Sequence, residues 1–228
     1  MLSLTATLKV LENKPNVSDD DIVISNDNTK YFGQVIDKRS LLWAINHKII
    51  CDYLVQTIIT DEEKLDTLLS KFNVLNDLDK RLFLSVYSAI KSISDGNSHH
   101  ILLYANNMEN SVKLCNFITL ILQEKYFKLT NLFYSVYDSS IKPTEQQNIL
   151  RKFQDSRFGI TSCVYCLGEG WDFPLLDAVV FCENMTSNIR IVQSALRPCR
   201  INSSQPDKIM KIILPILWNS IQIQYKVM

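Results

Sequence analysis

Glycine and proline are scarce, at five and six in 228 residues. That scarcity excludes collagen-like, low-complexity and disordered chains, which are rich in one or both. No sign of charge dominates either. Lys plus Arg and Asp plus Glu both number 24. Bulk affinity for a polyanion is therefore not built into the composition, although a local basic groove needs only a patch. No apolar run approaches the ~18 residues of a membrane span. The opening Met1-Leu2-Ser3-Leu4-Thr5 lacks the basic start and long apolar stretch of a secretory leader. The expectation is a soluble intracellular protein of the cytoplasm or nucleus. The Ile-, Asn- and Lys-heavy composition hints at an AT-rich genome, such as that of a large virus or an intracellular microbe. What is plentiful is apolar: 46% of the chain is hydrophobic, enough for the core of one large α/β domain.

Cysteines occur at 51, 115, 163, 166, 182 and 199. Four lie inside apolar runs, which suits buried, reduced thiols. Cys163 and Cys166 make a C-x-x-C pair, but no second pair completes a zinc set. No metal site is expected.

Short apolar runs recur along the chain: Tyr31 to Ile36, Tyr53 to Ile59, Ile101 to Ala105, Leu132 to Val136, Ile160 to Cys166, Ala178 to Cys182 and Ile209 to Leu214. Continuous rather than alternating, they predict strands buried on both faces of a parallel sheet. Helical patterns fall between them, over Ser40 to Asn46, Asp61 to Phe72, Leu78 to Ser94, Asn110 to Glu124, Pro143 to Gln154 and Asn188 to Arg197. From residue 101 onward strands and helices alternate, the mark of a doubly wound α/β domain. The charge run Asp19-Asp20-Asp21 reads as a solvated turn. His99-His100 reads as the loop entry to a strand. The aromatics Tyr126, Phe127, Phe133, Tyr134 and Tyr137 could stack bases, but core packing suits them better.

Two stretches invite chemistry. Gly168-Glu169-Gly170-Trp171-Asp172-Phe173-Pro174 follows a strand, which would place a ligand site at the carboxyl edge of a parallel sheet. Asp172 could accept from a ribose hydroxyl or orient an arginine. It could equally cap an ordinary turn. Gln193-Ser194-Ala195-Leu196-Arg197-Pro198-Cys199-Arg200 sets two arginines three apart at a helix end. Guanidinium forks bind phosphate in bidentate fashion. A solvated pair complementing the helix dipole is the plainer alternative.

Together these stretches resemble superfamily 2 helicases. Glu169 to Pro174 is similar to motif V, and Gln193 to Arg200 to motif VI, Q-x-x-G-R-x-x-R. Asp177-Ala178-Val179-Val180-Phe181 lies between them like the family's D-A-V-V-F strand. Ser3-Leu4-Thr5-Ala6-Thr7 resembles motif III, which links two motor domains. Ile101 to Asn106 resembles motif IV, and Glu145 to Phe153 the helix that follows. The entry Phe32-Gly33-Gln34-Val35-Ile36 to Tyr53 is similar to that of restriction-enzyme-like helicases of the DEAD/DEAH kind.

The resemblance implies a RecA-like fold, α/β with a mostly parallel central sheet flanked by helices. It implies a division into residues 1–60, a motif III remnant and connecting segment, and residues 61–228, the helicase C-terminal domain. By the same resemblance Arg200 is the arginine finger, with Arg197 beside it. Gly170, Asp172 and Gln193 face the nucleotide, Thr5 and Thr7 couple the two motor domains, and Asn106 touches nucleic acid. Three departures stand out. The motif VI glycine is Leu196, which would loosen the helix against a partner domain. Pro198 separates the arginines and would bend their geometry. No G-x-x-x-x-G-K-[ST] and no D-E-x-H occur in these 228 residues, so the phosphate cradle and the Mg²⁺ carboxylates are missing. The abrupt start suggests a truncated or split protein. ATP and Mg²⁺ are expected only in a complete two-domain enzyme, and none is bound by this chain alone. The expected partners are DNA rather than RNA and an N-terminal RecA-like motor domain in cis or in trans. The competing reading is a catalytically inactive RecA-like module that binds nucleic acid or protein.

Overall fold

A computed structural model describes residues 24–72, 76–164, 167 and 171–218. Thr5, Thr7 and Gly170 lie outside the described residues. The chain forms two compact units, Met1–Asn46 and His47–Met228.

In the first unit, helix α1 (Thr29–Phe32) starts where the Asn28 side chain accepts from the Lys30 amide at 3.1 Å. It stops at Gly33, whose φ of 76° a side-chain-bearing residue rarely adopts. Helix α2 (Leu41–Asn46) is capped by the Ser40 hydroxyl, which accepts from the Trp43 amide at 3.0 Å. The strand expected over Tyr31 to Ile36 is absent. A cap and a positive-φ glycine five residues apart close a single helical turn there, and Val35 and Ile36 stay exposed.

The second unit holds one six-stranded sheet in the order β1-β6-β5-β2-β4-β3, every pairing parallel. The strands are β1 (Asp52–Asp61), β2 (His100–Tyr104), β3 (Leu132–Tyr137), β4 (Phe158–Cys163), β5 (Ala178–Phe181) and β6 (Ile209–Trp218). Helices α3 (Glu62–Lys71), α4 (Asp77–Ser94), α5 (Met108–Gln123), α6 (Pro143–Asp155) and α7 (Asn188–Ala195) fill the connections. Helices α4 and α5 open on side-chain caps: Asn76 accepts from Asp79 N–H and Asn107 from Asn110 N–H, both at 2.8 Å. β1 pairs with β6 from Asp52 opposite Ile209 to Asp61 opposite Trp218. The two units part between Asn46 and His47, so β1 lies in the second.

The core has two layers, one on each sheet face. Along β2, Ile101 and Leu103 join Leu82, Val86 and Ile90 of α4 and Leu114 and Ile118 of α5. Leu102 and Tyr104 point the other way, into a cluster with Phe153 of α6, Phe173 and Val179. β5 divides likewise, Ala178 and Val180 against Val179. This alternation is why the runs read as continuously apolar. Phe133 and Tyr134 pack against these clusters and Tyr137 is buried, so they serve packing. Tyr126 is exposed, its hydroxyl accepting from Lys71 Nζ at 2.8 Å.

Gly159 shows how tightly the second layer is packed. A Cβ there would meet Phe153 Cδ2 at 2.5 Å, and Phe153 is fully buried. Gly159→Ala is therefore expected to cost about 1–3 kcal/mol, read as a lower midpoint in urea unfolding.

His100 opens β2 in the same layer, and its Nε2 lies 2.9 Å from the Ser156 carbonyl. Burial holds its imidazolium pKa below the usual 6.5, against the Ser156 bond and the Asp177 charge. The unfolded chain thus binds the proton more readily. The contribution to stability is complete above the ordinary histidine pKa and is lost as pH falls through it. Thermal midpoints from pH 7.5 down to 5.5 should fall, and His100→Gln should flatten that part of the curve.

Candidate functional site

After β4 the chain returns across the sheet to begin β5, and Asp172 sits on the returning limb. Phe173 anchors that limb. It is buried, its ring 4.9 Å from His100 and 5.5 Å from Phe153. Asp172, one residue earlier, stays exposed. The limb ends at Asp177, whose carboxylate accepts from the backbone amides of His99, at 2.8 Å, and His100, at 3.0 Å. That bond ties the entry of β5 to the entry of β2.

The second segment starts with α7, where the Ser187 hydroxyl accepts from the Arg190 amide at 3.4 Å. The helix ends at Ala195, and Arg197–Cys199 form a single 3-10 turn. Pro198 has no amide hydrogen to continue the α-helical ladder. The expected helix to Arg197 is therefore shorter, and the arginines leave the helix face. Arg197 is half-buried and makes no ion pair among the described residues. Arg200 is extended, and its Nε lies 3.4 Å from Asp172 Oδ1. Leu196 packs inward against Cys51, Cys199 and Met210. Gln193 is exposed on α7, one turn before Arg197.

Asp172 and Arg200 thus meet, but not at the carboxyl edge of the sheet. The amide of Cys51, just before β1, donates to the Cys199 carbonyl at 2.8 Å. Lys208, just before β6, donates through Nζ to the carbonyls of Pro174 at 2.7 Å and Arg200 at 2.9 Å. These contacts put the pair beside the amino ends of β1, β5 and β6. A loop that leaves a parallel strand must recross the sheet before the next one starts, and Asp172 lies late on that crossing.

Asn106 stands at the opposite edge, past the end of β2. Its amide donates to Glu183 Oε2 at 2.8 Å and its Nδ2 to the Asn184 carbonyl at 3.2 Å. Glu183 also accepts from Asn110 Nδ2 at 2.9 Å, and Asn184 from Arg81 at 3.2 Å. A cavity of about 780 Å³ opens beside this network, lined among others by Lys80, Arg81, Glu183 and Asn184. The structure therefore brings Asp172 and Arg200 together and holds Asn106 apart from them.

Sequence reasoning missed Lys208 and the thiols beside it. Lys208 sits in the polar run Ser203 to Lys208, which looks like a solvated loop, yet it is 9% exposed. Burial pulls its ammonium below the usual lysine range. Cys51 and Cys199 are buried neighbours. A hydrogen bond from Cys199 holds the Cys51 thiol at about 6, against the effect of burial and with help from Lys208. Cys163 and Cys182 are buried as expected.

Exposed ion pairs contribute about 0–1 kcal/mol. With side chains 57% and 64% exposed, Arg200 and Asp172 contribute little to holding the fold. Their contact runs through Nε, and no described residue bonds the Nη groups of Arg200. An exposed guanidinium steadied by a carboxylate on one flank can offer its fork to a phosphate.

Residues 84–202 match the family described as the helicase conserved C-terminal domain. No curated protein matches. Among solved structures, the chain is similar to the ATP-dependent type ISP restriction-modification enzyme LlaBIII bound to DNA, at 22% identity and a TM-score of 0.68, over 93% of this chain and 15% of that one. A chain described as an HsdR subunit of a type I restriction enzyme from Vibrio vulnificus aligns at 17% identity with a TM-score of 0.57, over 84% of this chain and 38% of that one. The chain thus spans well under half the length of either. The match covers more than half of its residues and agrees with the all-parallel sheet, so the chain belongs to the helicase conserved C-terminal domain family, the C-terminal RecA-like domain of superfamily 2 helicases.

Proposed function

We propose that this domain is the C-terminal half of an ATP-dependent DNA helicase or translocase, and that it supplies Arg200 to an ATP site completed by an N-terminal motor domain. The observation that carries the reading is the exposed Arg200–Asp172 pair at 3.4 Å. It is built from two segments 28 residues apart that resemble motifs V and VI. The match to an ATP-dependent, DNA-bound enzyme supports both the nucleotide and DNA as partner.

The donor set suits one side of a nucleotide. An exposed guanidinium can meet the charge that develops on a transferring phosphoryl group, whereas the described residues gather no cluster of carboxylates for Mg²⁺. In this mechanism Asp172 steadies Arg200 or accepts from a ribose hydroxyl. Gln193 and Arg197 orient the same phosphate, and Gly170 lets the loop approach closely. Thr5 and Thr7 relay closure to the other domain. Asn106, at the far edge of the sheet, belongs to the nucleic-acid track. Contacts there position a strand without reading its sequence.

The test joins the full chain to an N-terminal domain carrying the P-loop and D-E-x-H and follows DNA-stimulated ATP hydrolysis. The chain alone should hydrolyse nothing. Arg200→Ala in the joined enzyme should lower kcat by roughly 10³-fold or more, with little change in DNA affinity. Hydrolysis at the parent rate in that variant would remove the finger. Equal stimulation by RNA and DNA would remove the preference for DNA.

A further inference from the structure

The Arg200–Asp172 contact joins two loops that belong to different crossovers, and both side chains are more than half exposed. A pair so hydrated cannot hold two loops in register. Something beneath it must, and the buried residue that touches both loops is Lys208.

We propose that Lys208 is the positioning residue of this site: its ammonium bolts the carbonyl of Pro174, two residues beyond Asp172, to the carbonyl of Arg200 itself. The distances are 2.7 and 2.9 Å. Lys208 is only 9% exposed, and a buried ammonium is costly unless its protons are used. Here two go to carbonyls in segments that pair with no strand. The Asp177 carboxylate attracts the ammonium as well. The Lys208 amide itself donates to the Gln205 carbonyl at 3.1 Å, which holds the residue at the mouth of β6. β6 is paired to β1 on one side and β5 on the other. The tie therefore refers both loops to a strand that is hydrogen-bonded on both sides. An apolar side chain of equal length would fill the space and leave both carbonyls without a donor.

The consequence for ATP chemistry rests on the function proposed above, but the placement does not. It can be read on the full chain alone, by the ¹⁵N–¹H resonance of Arg200 Nε, identified through its loss in Arg200→Lys. In the parent chain Asp172→Asn should shift that resonance. In Lys208→Met it should already sit near the shifted position, and adding Asp172→Asn should move it by less than a quarter as much. Cooperative thermal unfolding of both variants guards against a general loss of packing. An Asp172→Asn shift of full size in the Lys208→Met background overturns the proposal. If Lys208→Met does not fold, the unmodified chain decides. The Lys208 ammonium protons should exchange with water at least tenfold more slowly than those of surface lysines, and exchange at surface rates overturns the proposal equally. In the joined enzyme Lys208→Met should lower kcat about tenfold with KM for ATP unchanged. A result in which Arg200→Ala hydrolyses normally while the resonance behaves as described removes the nucleotide role and leaves the positioning intact.

Discussion

Strand β2 is covered on both faces, and the rest of the molecule follows from that. Ile101 and Leu103 face α4 and α5, and Leu102 and Tyr104 face the layer around Phe153. Every residue from His100 to Tyr104 is buried. Polar chemistry is thereby confined to the two rims of the sheet, where strands begin and end. Parallel pairing then sends every connection across the sheet from one rim to the other, so each loop has one limb near each edge.

The two rims carry different kinds of chemistry. At the carboxyl rim, Asn106, Asn110, Glu183, Asn184 and Arg81 share one hydrogen-bonded network beside an open cavity. At the amino rim, Asp177 ties two strand entries together, Lys208 ties two loops, and Asp172 meets Arg200 above them. The order of strength is the reverse of the order of exposure. The buried carboxylate and ammonium hold backbone in place, while the exposed pair is weakly bound and can change partners.

Leu196 and Pro198 shape the segment between α7 and Arg200. Leu196 turns inward to cover Met210 and the two thiols rather than facing outward. Pro198 sits in the 3-10 turn after α7 that carries the Cys199 carbonyl to the Cys51 amide. Arg200 reaches Asp172 from an extended residue past that turn. The arginine spacing survives, but the helical geometry that would have aimed both side chains together does not.

Apolar runs between polar breaks were enough to read six parallel strands and their helices, because burial on both faces leaves no alternation to confuse with a half-exposed sheet. The resemblance around Asp172 and Arg200 rests on residue type and order, and folding brings the two side chains within 3.4 Å of each other. The short α1 was not, because a cap and one positive-φ glycine decided a local contest that composition alone left to a strand. The membership of β1 was settled by its partner β6, some 150 residues later in the chain. The rim on which the site lies was settled by where the returning limb ends. The role of Lys208 was invisible in a run of Ser, Gln, Pro and Asp. A lysine in such a run is read as solvated until folding encloses it, and only tertiary contacts could show that two distant carbonyls meet its ammonium there.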